Sequence, residues 1–496
     1  MNRKCLRAVL AVLACLLPAV SLAESGAFSP EAYEAGREAL TGPVQAYEEL
    51  TEEEKAVDEL LSLLKEEAGK YYSSGTGYGL ASRNNSLAAA SGLMEFCRSI
   101  PKGADLHNHD YTTVPMDRLL DVLTAYPGVC IDLEQGASFA SLYAPGSEMP
   151  DTAIPLDQAL ERGLVTREEI HASTSLPAGR TPRQAWDAFE PFFSRISHLS
   201  VDPELHRQVF EAAFRSCVDN RVLLVELRVI FSESDESNHS LLSSIRDAYY
   251  AVRADVPAFT VRVIACSSKH KSVTDTDERF RSAIRMSREF LDESDPADPR
   301  PLIIGLDLVG EEDTCEPLSD YTAFFLSDEF RESGLHLYLH CGESLEFTNE
   351  SVVDAWLCGT RRFGHAFNLF RFPKVVRAAL ENRIAVEVCP VSNCLLGYAR
   401  DLRLHPAQDY LRLGIPIVLC SDDALFMEDY PLSEDYFAAV LSWDLSLQEI
   451  RQIARNSILY CDLSEAEQDG LMSAWEDQWQ DFIREWSRRE SLEQAA

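Results

Sequence analysis

An α/β fold of the (β/α)8 TIM-barrel class, with a helical extension before it and an insertion after its first strand, is what this sequence predicts, on three observations. Eight strand-like apolar runs lie between residues 104 and 420, most of them separated by amphipathic helical segments. The chain has 496 residues, which holds one domain of barrel size plus appendages. Side chains able to do chemistry stand at the ends of those runs, where a barrel of this class builds its active site.

The runs are 104–109, 222–230, 261–266, 303–310, 335–340, 362–366, 384–389 and 415–420. The first ends in His107-Asn108-His109, and in an extended chain residues two apart face the same side, so both imidazoles can meet one ion. The fourth ends at Gly310 and Glu311. The fifth, LHLYLHCGES, breaks at Gly342 and Glu343, so one strand end delivers His340 and a carboxylate three residues on. The sixth carries His365, and Asp422 and Asp423 follow the apolar Ile415-Pro416-Ile417-Val418-Leu419 run of the eighth. Any one of these has a bland reading, a hydrogen-bonded core histidine or a solvated acidic turn. Their placement on a single rim favours a shared site.

Four of these side chains suit zinc: His107, His109, His340 and Asp422. Three neutral imidazoles and one carboxylate leave the ion a net charge of about +1, room for a further ligand, and the capacity to bring a bound water to a pKa of about 7. Three groups remain without a ligand role. Glu343 can donate a proton to a substrate, His365 can orient or deprotonate the water, and Asp423 can hold a ring nitrogen or that water.

The flanks read differently. Residues 1–23 have a basic start (Arg3, Lys4, Arg7), an apolar run and a Ser21-Leu22-Ala23 cleavage site, the pattern of a secretory signal that sends the protein to the periplasm or outside the cell. Val12-Leu13-Ala14-Cys15 supplies an alternative, a lipoprotein box that tethers the chain to a membrane through Cys15. Residues 24–98 read as an acidic helical extension, with one amphipathic helix over 48–70 and a second from about 86 through Phe96, suited to pack on the core or on a twin subunit. The barrel is expected over 99–465, with an irregular Pro/Gly/Ser-rich insertion at about 130–180, and a Trp-rich helix closes the chain over 466–496.

There are 81 acidic against 45 basic residues, and this surplus excludes nucleic acid and anionic membranes as natural partners while leaving a small neutral or cationic substrate acceptable. The 13 cysteines form no legible disulfide framework; Cys97 with Cys130 and Cys315 with Cys358 are the pairs to check. Cys389 and Cys394 lack the partners of a zinc knuckle. His405 reads as structural, and His171, His198, His206, His239 and His270 as surface residues.

Over residues 100–461 the chain resembles the adenosine deaminases, and within them the secreted branch of adenosine deaminase growth factors. The resemblance rests on PKGADLHNHD, VELR, GLDLVGEE, HCGE, RFGHAFNL, EVCPVSN, DLRLHP and CSDDALF. It implies one zinc per subunit on His107, His109, His340 and Asp422, with Glu343 as proton donor to purine N1, His365 as the base beside the water and Asp423 as partner of N7. It further implies that the backbone of Gly310 meets N3, that Asp110 touches the ribose, and that the extension carries a homodimer contact. Departures from the family pattern are Cys341 for alanine, Ala366 for glycine and Ala424 for proline. The activity implied is hydrolytic deamination of adenosine or 2'-deoxyadenosine to the inosine form and ammonia. The rivals are a related hydrolase acting on another adenine compound or cyclic amidine, and a secreted binding or signalling protein without turnover.

Overall fold

The computed structural model describes residues 47–72, 92–176, 179–293, 299–427 and 430–493, together with Tyr33 and Arg37. The expected signal peptide, the lipoprotein box and much of the extension lie outside the described residues.

The barrel strands are β1 (Gly103–His109), β2 (Val222–Ile230), β3 (Thr260–Ser268), β4 (Ile303–Val309), an interrupted β5 (His336–Leu337 and His340–Cys341), β6 (Arg362–His365), β7 (Ala385–Val388) and β8 (Ile417–Leu419). Every neighbouring pair is parallel, from β1 on β2 through to β7 on β8. At the break in β5 the backbone still bonds both ways, Tyr338 N–H to Leu306 O at 3.1 Å and Gly364 N–H to Leu339 O at 2.9 Å. The ring closes where Asn108 bridges Asp422: the Asp422 N–H donates to His107 O at 2.9 Å and the His109 N–H to Asp422 O at 3.3 Å. That seam sets the first pair of histidines beside the last pair of aspartates.

The strands are Val/Ile/Leu-rich because both faces are buried, outward against helices and inward against the barrel core. Helices such as Pro203–Asp219, Asp235–Asp255 and Val273–Glu289 cover the outside, each started by a side-chain cap from Asp202, Ser234 or Ser272. No helix among the described residues is long and apolar enough to cross a membrane.

The insertion is more ordered than its composition suggests. Cys130–Asp132 pairs antiparallel with both Ser141–Tyr143 and Ile154–Pro155, and the helices Leu156–Glu161 and Arg167–Ser173 follow. Strands of two or three residues are too short to show alternation, and the Pro and Gly between them mask the pattern.

The terminal helix Glu465–Glu493 lies against the helix Glu52–Tyr72 of the extension. The Trp479 indole donates to Glu54 Oε1 at 2.9 Å, and Trp475 donates to the Pro101 carbonyl at 2.8 Å, so the two ends of the chain clamp the start of β1. All eleven cysteines among the described residues are free thiols, and neither pair considered from the sequence is joined.

Candidate active site

His107, His109, His340 and Asp422 converge at the C-terminal mouth of the barrel, with one ligand atom from each lying within 4.8 Å of all the others. The Nε2 atoms of His107 and His340 stand 2.9 Å apart, and His109 Nε2 lies 3.3 Å from Asp422 Oδ1. Asp422 reaches this place through a left-handed backbone at φ 57°, a conformation short acidic side chains tolerate.

The hydrogen bonds behind the imidazoles test whether the site fits a cation. His107 Nδ1 lies 2.7 Å from Glu387 Oε2, and His340 Nδ1 lies 2.6 Å from Asp307 Oδ2. Burial favours a neutral Asp307, but His340 and Arg228 outweigh it and hold the carboxyl below its usual range, so it accepts. Burial, and the nearby Arg228 charge, push His107 well below its ordinary value, and burial lowers His340. Both rings are therefore neutral with the proton on Nδ1, and two Nε2 lone pairs face each other across 2.9 Å. Two acceptors in contact repel; a cation between them removes the conflict. The donor set suits zinc, and carboxylate partners of this kind orient metal-binding histidines.

A second grouping, His107, His365, Cys389 and Asp422, also has its ligand atoms close together. Burial pushes the Cys389 thiol well above its ordinary value. Burial opposes a charge on His109, yet Asp423 and Asp422 raise it to about 9.

The remaining predicted residues surround that point. Glu343 is buried, and burial, then the charges of Asp422 and Glu312, push its carboxyl well above the usual range, toward the protonated acid. His365 lies between Glu343 and Asp422, its Nδ1 3.7 Å from Glu343 Oε1 and its Nε2 3.9 Å from Asp422 Oδ2. Burial brings His365 down to about 3, so the ring is neutral. His365 and Ala366 both have left-handed backbones, at φ 59° and 43°, so Ala366 carries a Cβ where glycine relaxes the turn. Asp423 accepts from Thr112 Oγ1 at 2.6 Å, and burial raises it to about 7. Gly310 follows β4 at φ 107°. Asp110 is tied to backbone, accepting from Tyr111 N–H at 2.8 Å and Ile230 N–H at 3.4 Å.

Sequence reasoning missed the layer beneath. Arg228 bonds Asp307 at 2.7 Å, Glu387 at 2.6 Å and the carbonyls of Leu106 and Tyr338, linking β2 to β4, β7, β1 and β5 through the barrel interior. Arg362 bonds Glu387 at 2.6 Å and also Glu226. The available signal was a charge inside an apolar run, as in VLLVELRVI and IIGLDLV. His206, expected on the surface, is buried and stacked on Tyr111, with ring centroids 5.1 Å apart. It belongs to the core because Tyr111 stacks on its ring and Phe210 packs against it, tilted, with centroids 4.6 Å apart.

A family model described as adenosine deaminase matches residues 146–478. The chain belongs to the adenosine deaminase family. Among family members, adenosine deaminase 2 of Sus scrofa is 29% identical over 433 residues, covering 80% of this chain and 83% of that one. Adenosine deaminase 2 of Dictyostelium discoideum is 26% identical over 422 residues, covering 79% and 75%. Among solved structures, the arabidopsis N6-mAMP deaminase MAPDA superposes with a TM-score of 0.56 at 19% identity, covering 77% of this chain and 99% of that one. A cog1816 amidohydrolase from Burkhoderia ambifaria, solved with bound Zn, gives 0.55 at 14% identity over 84% and 100%. At such identities the likeness concerns the fold, an α/β barrel shared across the adenosine deaminase and amidohydrolase structures.

Proposed function

We infer that this member of the adenosine deaminase family hydrolyses adenosine and 2'-deoxyadenosine to inosine and 2'-deoxyinosine, releasing ammonia. One observation carries the reading: a buried carboxyl, Glu343, stands 3.7 Å from the His365 ring, beside three histidines and Asp422 whose ligand atoms lie close enough together to hold one cation. His107, His109, His340 and Asp422 would hold zinc. When bound, zinc supplies the Lewis acidity that makes water a nucleophile near neutral pH.

The chain's own residues supply the rest. Water adds to C6 of the purine while Glu343 gives its proton to N1, so the ring nitrogen takes up the electron pair of the C6–N1 double bond. His365 faces the gap between Glu343 and Asp422 and orients the attacking water or takes its proton. Asp423, which accepts from Thr112 and is raised by burial to about 7, would be the partner of N7. On the family pattern the backbone of Gly310 would meet N3 and Asp110 would meet the ribose. Collapse of the tetrahedral carbon forms the C6 carbonyl as its hydroxyl proton passes to the amino group and the exocyclic C6–N bond breaks, so ammonia leaves, and the proton first taken from the water returns to Glu343.

A nucleotide substrate finds less support. Arg183 is paired with Asp187 at 3.2 Å and Glu311 at 3.7 Å, and Lys269 is buried on Glu312 at 3.2 Å. A phosphate would have to compete with those carboxylates. Secretion by residues 1–23 and a homodimer through the extension complete the proposal. The test is absorbance at the adenosine band with purified protein, with and without chelator, over a panel of adenosine, 2'-deoxyadenosine, adenine and AMP. Conversion of the two nucleosides alone, abolished by chelator, supports it; turnover of adenine or AMP in their place overturns it.

A further inference from the structure

A chain of hydrogen bonds with one direction runs into the site from the DLRLHP loop. It starts at a group whose role is fixed: the Ala407 backbone N–H, which can only donate, bonds His405 Nδ1 at 3.1 Å. His405 is buried, and burial brings it down to about 3, so the ring is neutral and its one proton sits on Nε2. That Nε2 lies 3.0 Å from Asn393 Oδ1, which accepts. The Asn393 amide nitrogen is then turned the other way, 3.3 Å from His365 Nδ1 and 3.5 Å from Glu343 Oε1. Asn393 is fully buried, so no water competes for either end of its amide.

We propose that His405 is a positioning residue which, through Asn393, holds His365 with Nδ1 as acceptor and its proton on Nε2, so that His365 donates to the attacking water rather than deprotonating it; the water's proton passes instead to the carboxylate that Glu343 becomes once N1 is protonated. The same amide faces Glu343 Oε1 with a donor, leaving Oε2 as the oxygen that carries the acid's proton. One polar chain thereby sets the proton position on both groups. It rests on the roles given to Glu343 and His365 above, and decides between the two left open for His365. Phe367 and Trp443 hold the His405 ring, with centroids 5.2 and 5.5 Å away, so its orientation is set by packing and cannot adjust to the site.

The experiment compares wild type, His405→Phe and His405→Gln, each loaded with zinc. Adenosine turnover by wild type establishes the functional reading; its absence would overturn that reading and not the hydrogen-bond chain. Phe keeps the packing and removes the donor, so kcat should fall about 10- to 100-fold, with KM, zinc content and Tm near wild type. Gln can restore the bond to Asn393 Oδ1 and should recover most of kcat. Wild-type kcat in His405→Phe, or a Gln variant as impaired as the Phe variant, would overturn the proposal. A readout independent of any variant's folding is 15N NMR of the histidine rings in the wild-type protein. A bare Nδ1 and a protonated Nε2 on His365 are expected, and a protonated Nδ1 contradicts the assignment.

Discussion

His107 and His340, 233 residues apart in the chain, present their Nε2 atoms to each other at 2.9 Å while their Nδ1 protons are held by Glu387 and Asp307. Without a cation this contact is repulsive, so the site should be a source of strain when stripped. Chelation should lower Tm and abolish deamination, and zinc should restore both. At free zinc about 100 times its Kd the recovered stability is about 2.7 kcal/mol. Differential scanning calorimetry with elemental analysis checks this, one zinc per chain being expected.

Glu343 is near-isosteric with glutamine, which cannot give up a proton as an acid. Glu343→Gln should reduce kcat by about 10²- to 10⁴-fold while leaving zinc content and Tm almost unchanged. Steady-state kinetics with metal analysis decides it; equal activity would remove Glu343 from the mechanism.

Glu387 is fully buried behind His107, and it bonds the His107 ring and two arginines at once. Glu387→Gln should weaken zinc binding about 10- to 100-fold, read by competition with a chromophoric chelator. Arg228→Met is the harsher change: it leaves Asp307 and Glu387 buried without their shared cation. Removing one partner of such a network costs about 3–5 kcal/mol, and the loss should show as a shifted denaturant midpoint.

Glu312, which is not one of the candidate ligands, gives an acid signature of its own. Burial pushes its carboxyl up, but Lys269, Asn349 and Ser351 outweigh this and hold it at about 2, against 4.5 for the free group. Since the folded pKa lies below the unfolded one, this contribution is complete above pH 4.5 and disappears as pH falls toward about 2. The Tm gap between wild type and Glu312→Gln should therefore be widest above that window and close within it. A gap independent of pH would assign the effect to packing.

Much of this was legible in sequence, for a physical reason. Parallel barrel strands are buried on both faces, so they read as apolar runs, and the runs 222–230 and 362–366 agree with β2 and β6 to within a residue. The candidate side chains lie where those runs stop, which is why His340, Glu343, His365 and Asp422 stand out in the sequence. The small sheet at 130–155 was not legible, because its strands are too short to carry a period. His405 reads as structural and Asn393 gives no signal of its own, because a polar residue outside a strand looks the same in sequence whether it meets water or a buried partner.

By itself, then, the order of residues determined the alternation of strands and helices, the candidate ligands and the acid, all of them local properties of the chain. Only the closed barrel decided that Asn108 pairs with Asp422, which imidazole faces which, and where each histidine proton sits. Those depend on groups far apart in the chain, 311 residues in the case of Thr112 and Asp423, meeting in a low-dielectric interior where an unpartnered polar atom is costly.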